Sequence, residues 1–241
     1  MIESIEVTDL VLSGLVAFGI LQLTWFSVMI LRRGMPPQTI QQSIPPLLAI
    51  WVLMWPVYTD TRWLAAGIIM LAVMGLLAMT VRKPFWQQLR FAWSRQTENS
   101  NPVIYPTLKL LPLTHLIASL LIAGLWFQAI PEFGFGLALC MCLAFPAAFW
   151  VDQLCEIRFG FLKLGFPAHP EQTLAGHLAL IVVSTVLLCW SLHVYHGTDW
   201  QTLFIATLIA GMTASATRAV IPGEWNTPAA MITVGFVMWL L

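Results

Sequence analysis

The stretch from position 152 to position 165 holds the densest group of side chains able to do chemistry. Two acids, two bases and two glycines lie within it, namely Asp152, Glu156, Arg158, Lys163, Gly160 and Gly165. Carboxylates can hold Mg²⁺ through one or two oxygens while a nucleotide completes the coordination shell, and Lys and Arg side chains could then face the phosphates. The same residues also suit a short basic loop that caps two helices, with Asp152 and Arg158 paired or solvated, and spacing alone leaves both interpretations open.

Other potential ligands form weaker candidate sites. His193, His196 and Asp199 fall at helical spacing, and imidazole is a good transition-metal ligand, but three donors at one helix end are more often solvated. Cys140 and Cys142 are two positions apart, so on a helix their thiols point in different directions. All four cysteines lie within or at the edge of apolar stretches, which indicates small apolar side chains rather than a disulfide framework.

Composition indicates the environment in which such groups must work. Of 241 residues, 59% are hydrophobic and only 9% are charged, and the mean hydropathy is +0.82. These values are typical of membrane proteins and argue against a soluble domain. Eleven basic residues balance eleven acidic ones, so no basic surface is available for nucleic acid. The N-terminus is acidic rather than basic and lacks a small-residue cleavage site, so we expect the first apolar run to be retained.

Hydropathy predicts an all-α, polytopic membrane protein with eight spans in one domain, residues 1–241. The predicted spans are 10–31, 44–58, 64–81, 110–130, 133–151, 174–195, 200–221 and 227–241. The second and the eighth have only about 15 residues, which is short for a bilayer core of about 30 Å. Residues 84–95 place Phe85, Trp86, Leu89 and Trp93 at helical spacing, which predicts a helix lying in the cytoplasmic interface of the membrane.

The basic residues predict the orientation of these spans. With eight spans, ten of the eleven Lys and Arg residues fall on one face, and Arg62 is the exception. Because cations are retained on the cytoplasmic side, we expect both termini outside the cytoplasm, in a bacterial inner membrane. Arg218 ends a span rich in small residues, which permits close helix packing. A cation there is a functional group or one whose charged end reaches the interface, and we favour the interface.

Several of these segments resemble the dolichol, phytol and farnesol kinase family. The resemblance rests on Arg158-Phe159-Gly160, on Lys163-Leu164 and on the run from Gln172 to Ala179. It extends to Trp55-Pro56 and, near the C-terminus, to the small-residue run from Ala214 to Pro222 followed by Asn226-Thr227. Members of the family are multi-pass membrane proteins that phosphorylate isoprenoid alcohols with CTP or a similar nucleotide, and they are distant relatives of phosphatidate cytidylyltransferases.

The resemblance implies a set of site residues. Asp152 and Lys163 would be catalytic, and Asp152 and Glu156 would hold Mg²⁺. The remaining positions would bind CTP: Arg158, Gly160, Gly176, His177 and Asn226. The resemblance also implies a cytoplasmic pocket, and we expect an apolar groove for a prenyl chain that the short, Pro-rich second span helps to line.

Departures from the family pattern change the functional expectation. Gln172 replaces a Lys, His177 replaces a Ser, Arg218 replaces a Glu, and Glu224-Trp225 replaces an Asp. An early Arg-Lys-x-x-His motif corresponds to residues 40–44, which contain neither a base nor a histidine. Phosphoryl transfer depends on positioning and charge neutralisation, so losing several such groups should cost many powers of ten in rate.

Two hypotheses follow from these departures. The favoured one is a protein that has kept the fold and lost the reaction, acting as a lipid-binding or structural subunit of a membrane complex. Its partners would be a membrane lipid or isoprenoid alcohol and other membrane subunits. The alternative is an active, Mg²⁺-dependent and CTP-dependent kinase for a prenol such as phytol, farnesol or a polyprenol. A transporter is disfavoured because almost no ionisable residue lies deep in a span.

Overall fold

The computed structural model describes residues 7–94, 111–159 and 172–241, and within these ranges the protein is helical with no β-strand. Its first part contains α1 (Val7–Arg32), α2 (Pro37–Val52), α3 (Leu64–Thr80), α4 (Pro84–Trp93) and α5 (Leu111–Leu121). Its second part contains α6 (Pro131–Leu139), α7 (Phe145–Phe159), α8 (Leu174–His196), α9 (Trp200–Val220) and α10 (Asn226–Leu240). The predicted all-α class is confirmed for the described residues.

Among the described residues, six helical segments are long and apolar enough to cross a membrane. They are Val7–Arg32, Pro37–Val57, Thr61–Thr80, Pro131–Cys155, Leu174–His196 and Trp200–Val220. Two shorter apolar helices, Pro112–Trp126 and Asn226–Leu240, occupy the places of the fourth and eighth predicted spans. The second segment is longer than predicted because α2 begins at Pro37 rather than at position 44, and a 3₁₀ turn at Trp55–Val57 continues it to within one residue of the predicted end. The fourth segment ends before position 130.

Large apolar side chains cover the outer faces of these helices, which is the arrangement expected of a membrane protein. Examples are Phe18, Ile69 and Leu76 in the first part and Val182 and Ile205 in the second, each exposed by 59–69%. Apolar patches of this extent are rare on monomeric soluble proteins. Helices α1, α3 and α8 are apolar around most of their circumference, as expected when one side faces protein and the other faces lipid.

The first compact unit spans Met1–Leu121 and is built around α1, α2 and α3. A helix, α4, is present where the interfacial helix is predicted, and it buries one side against the unit: Leu89, Ala92 and Trp93 are each exposed by 1% or less. The Trp93 indole Nε1 donates to the Ser27 hydroxyl of α1 at 3.2 Å. At the same end of the unit, the Arg32 Nε donates to the Gln88 side-chain oxygen at 2.8 Å.

The second compact unit spans Ile122–Leu241 and is centred on one long helix. This helix runs from Pro131 to Phe159, and a π-helical turn at Cys140–Ala144 joins α6 to α7. Its most apolar window is 67% buried, compared with 33–39% for the other five long segments. It packs against α8, α9 packs on α8, and α10 packs on α9. The division into two units leaves the predicted single domain a prediction.

Small residues allow close approach between α8 and α9. A Cβ atom at Gly211 would lie 2.9 Å from the Ile181 carbonyl oxygen and 2.9 Å from the Thr185 hydroxyl. Ala214, one turn further along α9, is almost fully buried. The backbones therefore approach closely, as the small-residue run predicts.

Candidate functional site

Asp152 lies at the centre of a buried polar cluster in the second unit. It is on α7, is 5% exposed, and points at the start of α8. Its Oδ1 accepts from the Thr173 backbone N–H at 2.8 Å and from the Thr173 hydroxyl at 2.7 Å. Its Oδ2 accepts from the Arg218 Nη2 of α9 at 2.6 Å. Three donors from two other segments therefore hold this carboxylate.

The start of α8 is built to receive this carboxylate. Thr173 is the N-cap residue, with extended backbone angles, and its hydroxyl accepts from the Gly176 N–H at 3.1 Å while donating to Asp152. A Cβ atom at Gly176 would overlap the Asp152 carboxylate, so glycine is required for this approach. A negative charge at a helix N-terminus is also stabilised by the helix dipole.

Arg218 supplies the compensating charge. Its side chain is 8% exposed and that of Asp152 is 6% exposed, so both partners of the ion pair are buried. The expectation of an interfacial cation is therefore wrong, because Asp152 keeps the guanidinium inside the unit. The Arg218 Nη1 is buried without a hydrogen-bond partner among the described residues, which costs part of the stabilisation that the pair provides.

Three further polar side chains complete the cluster. The Gln172 Nε2 donates to the Arg218 carbonyl oxygen at 3.2 Å, which orients the amide so that its Oε1 meets the His177 Nε2 at 2.9 Å. Because an amide oxygen only accepts, the His177 Nε2 carries a proton. The His177 Nδ1 lies 2.7 Å from the Ser215 hydroxyl. The imidazole thus links α8 to α9.

The structure brings together only some of the predicted site residues. Asp152, Gly176 and His177 meet in the cluster, whereas Asn226 starts α10 and its side-chain oxygen accepts from the Thr227 hydroxyl at 3.0 Å. In the described part of the chain, no hydrogen bond links Asn226 to the cluster. Gly160 and Lys163 lie outside the described residues. Glu156 and Arg158 lie on the last turn of α7, but their side chains are also outside the described part.

The arrangement limits what the cluster can do chemically. Asp152 and Arg218 neutralise each other, so the described cluster offers no surplus positive charge to a phosphate. No group of three or more His, Cys, Asp or Glu side chains suited to a metal is found in residues 7–94, 111–159 and 172–241. A Mg²⁺ ion on Asp152 would have to displace a guanidinium and the Thr173 donors.

Sequence reasoning misses several residues of the cluster. Thr173 carries a usable signal, since a Thr directly before an apolar run is a typical helix N-cap. Gln172 stands out in the sequence only as a departure from a family pattern, and Arg218 only as such a departure and as a cation at the end of a span. Their contacts join residues far apart in the sequence, which spacing does not show. Ser215 stands out only as a small residue of α9.

A second buried carboxylate lies in the first unit. Asp9, on the first turn of α1, is 1% exposed. It accepts from the Thr59 backbone N–H at 3.0 Å, from the Thr59 hydroxyl and from the Asp60 N–H at 3.2 Å. It therefore ties the start of α1 to the connection between α2 and α3, whereas in the sequence it stands out only as part of the acidic N-terminus.

An apolar groove of about 410 Å³ lies between α1 and α2. Its walls include Leu15, Gly19 and Phe26 of α1 and Leu47 and Ile50 of α2. Ile50 is 60% exposed and Phe26 44% exposed, so the groove opens to the surroundings. Its volume is within the range of about 300–1,000 Å³ that is usual for small-molecule sites.

Comparisons with known proteins give no relative for this fold or site. No protein-family model, curated protein or solved structure matches the chain. The class that the structure supports is a helical membrane protein, with six long apolar helices, a buried ion-pair cluster and an open apolar groove in the part of the chain that it describes.

Proposed function

We propose that this protein is a non-catalytic, lipid-binding subunit of a membrane complex, built on a diverged isoprenoid-alcohol-kinase-like fold. The observation that carries the proposal is the state of Asp152, the residue that the kinase hypothesis makes both catalytic and metal-binding. Its two oxygens accept from Thr173 and from Arg218, and the pair is buried. A carboxylate neutralised by an arginine is a poor Mg²⁺ ligand, so the cluster serves to hold α7, α8 and α9 together.

The polar side chains around the ion pair support the same proposal. In the resembling family, a Lys stands where Gln172 lies and a Ser stands where His177 lies. Here Gln172 and His177 bond to each other, and Gln172 also bonds to the Arg218 backbone. Side chains that are hydrogen-bonded to each other inside the unit contribute to packing rather than to nucleotide binding. CTP and Mg²⁺ are accordingly cofactors only of the alternative, active kinase.

The groove between α1 and α2 supports the lipid-binding part of the proposal. It is lined almost wholly by apolar side chains, and it opens where large apolar residues would meet the bilayer. The Pro-rich second span contributes one wall of this groove, which is consistent with the proposed binding of a prenyl chain. A membrane lipid or an isoprenoid alcohol is the ligand class that such a surface fits.

The proposed topology has eight spans with both termini outside the cytoplasm, in a bacterial inner membrane. Two contacts within the first unit support alternating spans. Asp9 meets the α2–α3 connection at one end, and Arg32 of α1 meets Gln88 of α4 at the other. The shorter apolar helices Pro112–Trp126 and Asn226–Leu240 would complete the count.

A phosphotransfer assay separates the proposal from the kinase alternative. Purified protein is incubated with farnesol, geranylgeraniol or phytol, with Mg²⁺ and with CTP, ATP, GTP or UTP. Asp152→Asn is the test variant, and Asp60→Asn, which alters an exposed ion pair of the first unit, is the matched control. We expect no turnover above background in any sample. Turnover that vanishes in Asp152→Asn and survives in Asp60→Asn would overturn the proposal and establish the kinase.

A further inference from the structure

The groove between α1 and α2 does not end in a purely apolar surface. Beside it lies a second hollow of about 230 Å³, and the indole of Trp25 lines both. The second hollow is lined by Val28 and Met29 of α1, by Phe85 of α4, and by Arg32 and Arg33. An apolar channel and a pair of cations thus share one wall.

The charge around this second hollow is one-sided. Between positions 10 and 94, Asp60 is the only acidic residue, and it lies in the α2–α3 connection near Asp9, at the opposite end of α1. Arg32 bonds to the neutral Gln88 side chain, and no ion pair of Arg32 or Arg33 is found among the described residues. Both arginines are exposed. Within the described part of the chain their two charges are therefore uncompensated, and they are accessible to an anion.

A cation at the end of a membrane helix has an ordinary explanation as an interfacial anchor. That explanation accounts for the positive charge of Arg32 and Arg33, but it does not require a hollow with aromatic walls beside them. Phe85 and Trp25 form such a wall next to an apolar groove. A ligand with an apolar chain and a negative headgroup complements both parts at once.

We propose that the groove binds an anionic bilayer phospholipid, with one acyl chain between α1 and α2 and the phosphate at Arg32 and Arg33. The inference rests on the proposed lipid-binding function and specifies its ligand. Arg guanidinium groups bind phosphate oxygens in paired hydrogen bonds, which distinguishes an anionic headgroup from a simple alcohol. A neutral isoprenoid alcohol would leave the charges of both arginines without a counter-charge from the ligand.

The headgroup is tested by titrating detergent-purified protein with phosphatidylglycerol or phosphatidylcholine of identical acyl chains, with bound lipid counted by native mass spectrometry. We expect phosphatidylglycerol to bind about tenfold more tightly. The double change Arg32→Gln and Arg33→Gln should abolish that preference, and Arg33→Gln alone, which keeps the Arg32–Gln88 bond, should reduce it. The matched control is Arg82→Gln with Lys83→Gln, which removes two exposed cations that do not line the hollow and should leave the preference intact.

The acyl chain is tested separately with a pair of glycine variants on α1. Gly19 lines the groove and Gly14 does not, and a Cβ atom added at either position would have open space around it. Gly19→Leu should fill the groove and weaken binding of both lipids, whereas Gly14→Leu should change neither. Equal binding of the two lipids, or a preference that survives loss of Arg32 and Arg33, would overturn the headgroup inference alone. Absence of binding by either lipid would overturn the lipid-binding function as well.

Discussion

At the scale of single residues, the Asp152–Arg218 pair is a buried ion pair with a large expected effect on stability. Both partners are buried, and Asp152 also holds the N-cap of α8 through Thr173. Removing two charges from water costs free energy, and the attraction between the two side chains offsets that cost only while both partners are present. Removing one partner leaves a buried, uncompensated charge, which is worse than removing both.

We predict that Arg218→Gln lowers the free energy of unfolding by about 3–5 kcal/mol, because Asp152 then keeps a buried charge without its partner. The double variant Asp152→Asn with Arg218→Gln should lose less than the sum of the two single losses, by about 0.5–3 kcal/mol. Reversible unfolding in detergent, followed by circular dichroism, measures these values.

The exposed ion pair of Arg62 and Asp60 provides the control, since its side chains are 76% and 38% exposed. Arg62→Gln should cost less than about 1 kcal/mol. Strictly additive losses at Asp152 and Arg218 would contradict a coupled structural pair.

At the scale of elements, the two buried carboxylates perform the same task in different units. Asp9 joins the start of α1 to the α2–α3 connection, and Asp152 joins α7 to the start of α8. In each case the carboxylate accepts hydrogen bonds from the backbone N–H and the hydroxyl of one Thr, which is Thr59 for Asp9 and Thr173 for Asp152. Helix ends expose unsatisfied N–H groups, so a buried carboxylate there fixes the position of the following element.

We predict that Asp9→Ala loosens the α2–α3 connection without unfolding the unit. The N–H groups of Thr59 and Asp60 lose their acceptor, so hydrogen exchange of a peptide covering residues 58–61 should accelerate. Hydrogen exchange followed by mass spectrometry measures the change. Asp60→Ala is the comparison, because its carboxylate accepts locally, from the Arg62 N–H, and exchange at Thr59 should stay slow. Equal effects of the two substitutions would contradict the role assigned to Asp9.

The sequence predicts the elements better than it predicts the contacts between them. Hydropathy and charge locate the apolar helices and the amphipathic helix α4, because local composition determines where a helix can cross or lie in a bilayer. They miss the π-helical turn at Cys140–Ala144, since a wide turn depends on packing rather than on residue type. They also miss the Arg218–Asp152 pair, whose partners are 66 positions apart.

At the scale of the whole molecule, the distribution of basic residues along the sequence is the basis for the proposed orientation of the spans in the membrane. Ten of eleven basic residues fall on one face of the proposed eight-span arrangement. Cations near span ends stay on the cytoplasmic side during insertion. The proposed topology is thus a consequence of a few residues at the ends of otherwise apolar helices.

We predict that a C-terminal alkaline phosphatase fusion is active and a C-terminal green fluorescent protein fusion is dark, because the C-terminus lies outside the cytoplasm in the proposed topology. The same reporters inserted after Gly34 should give the reverse result, since Arg32 and Arg33 mark the cytoplasmic end of α1. Measurements of enzymatic activity and whole-cell fluorescence decide between the arrangements. A fluorescent C-terminal fusion would exclude eight spans with both termini outside.

The π-helical turn at Cys140–Ala144 determines which side of the long central helix the residues after it face, relative to the residues before it. Gly136, before the turn, faces α8 near Leu188 and Ser191, and Asp152, after it, faces the first turn of the same α8. In an uninterrupted α-helix these two positions would point about 160° apart, and one inserted residue reduces the difference to about 60°. A single extra residue thus lets one helix present both its packing surface and its carboxylate to one neighbour. Deleting one residue between 140 and 144 would turn Asp152 away from Thr173 and Arg218 while leaving every side chain of the cluster in the sequence.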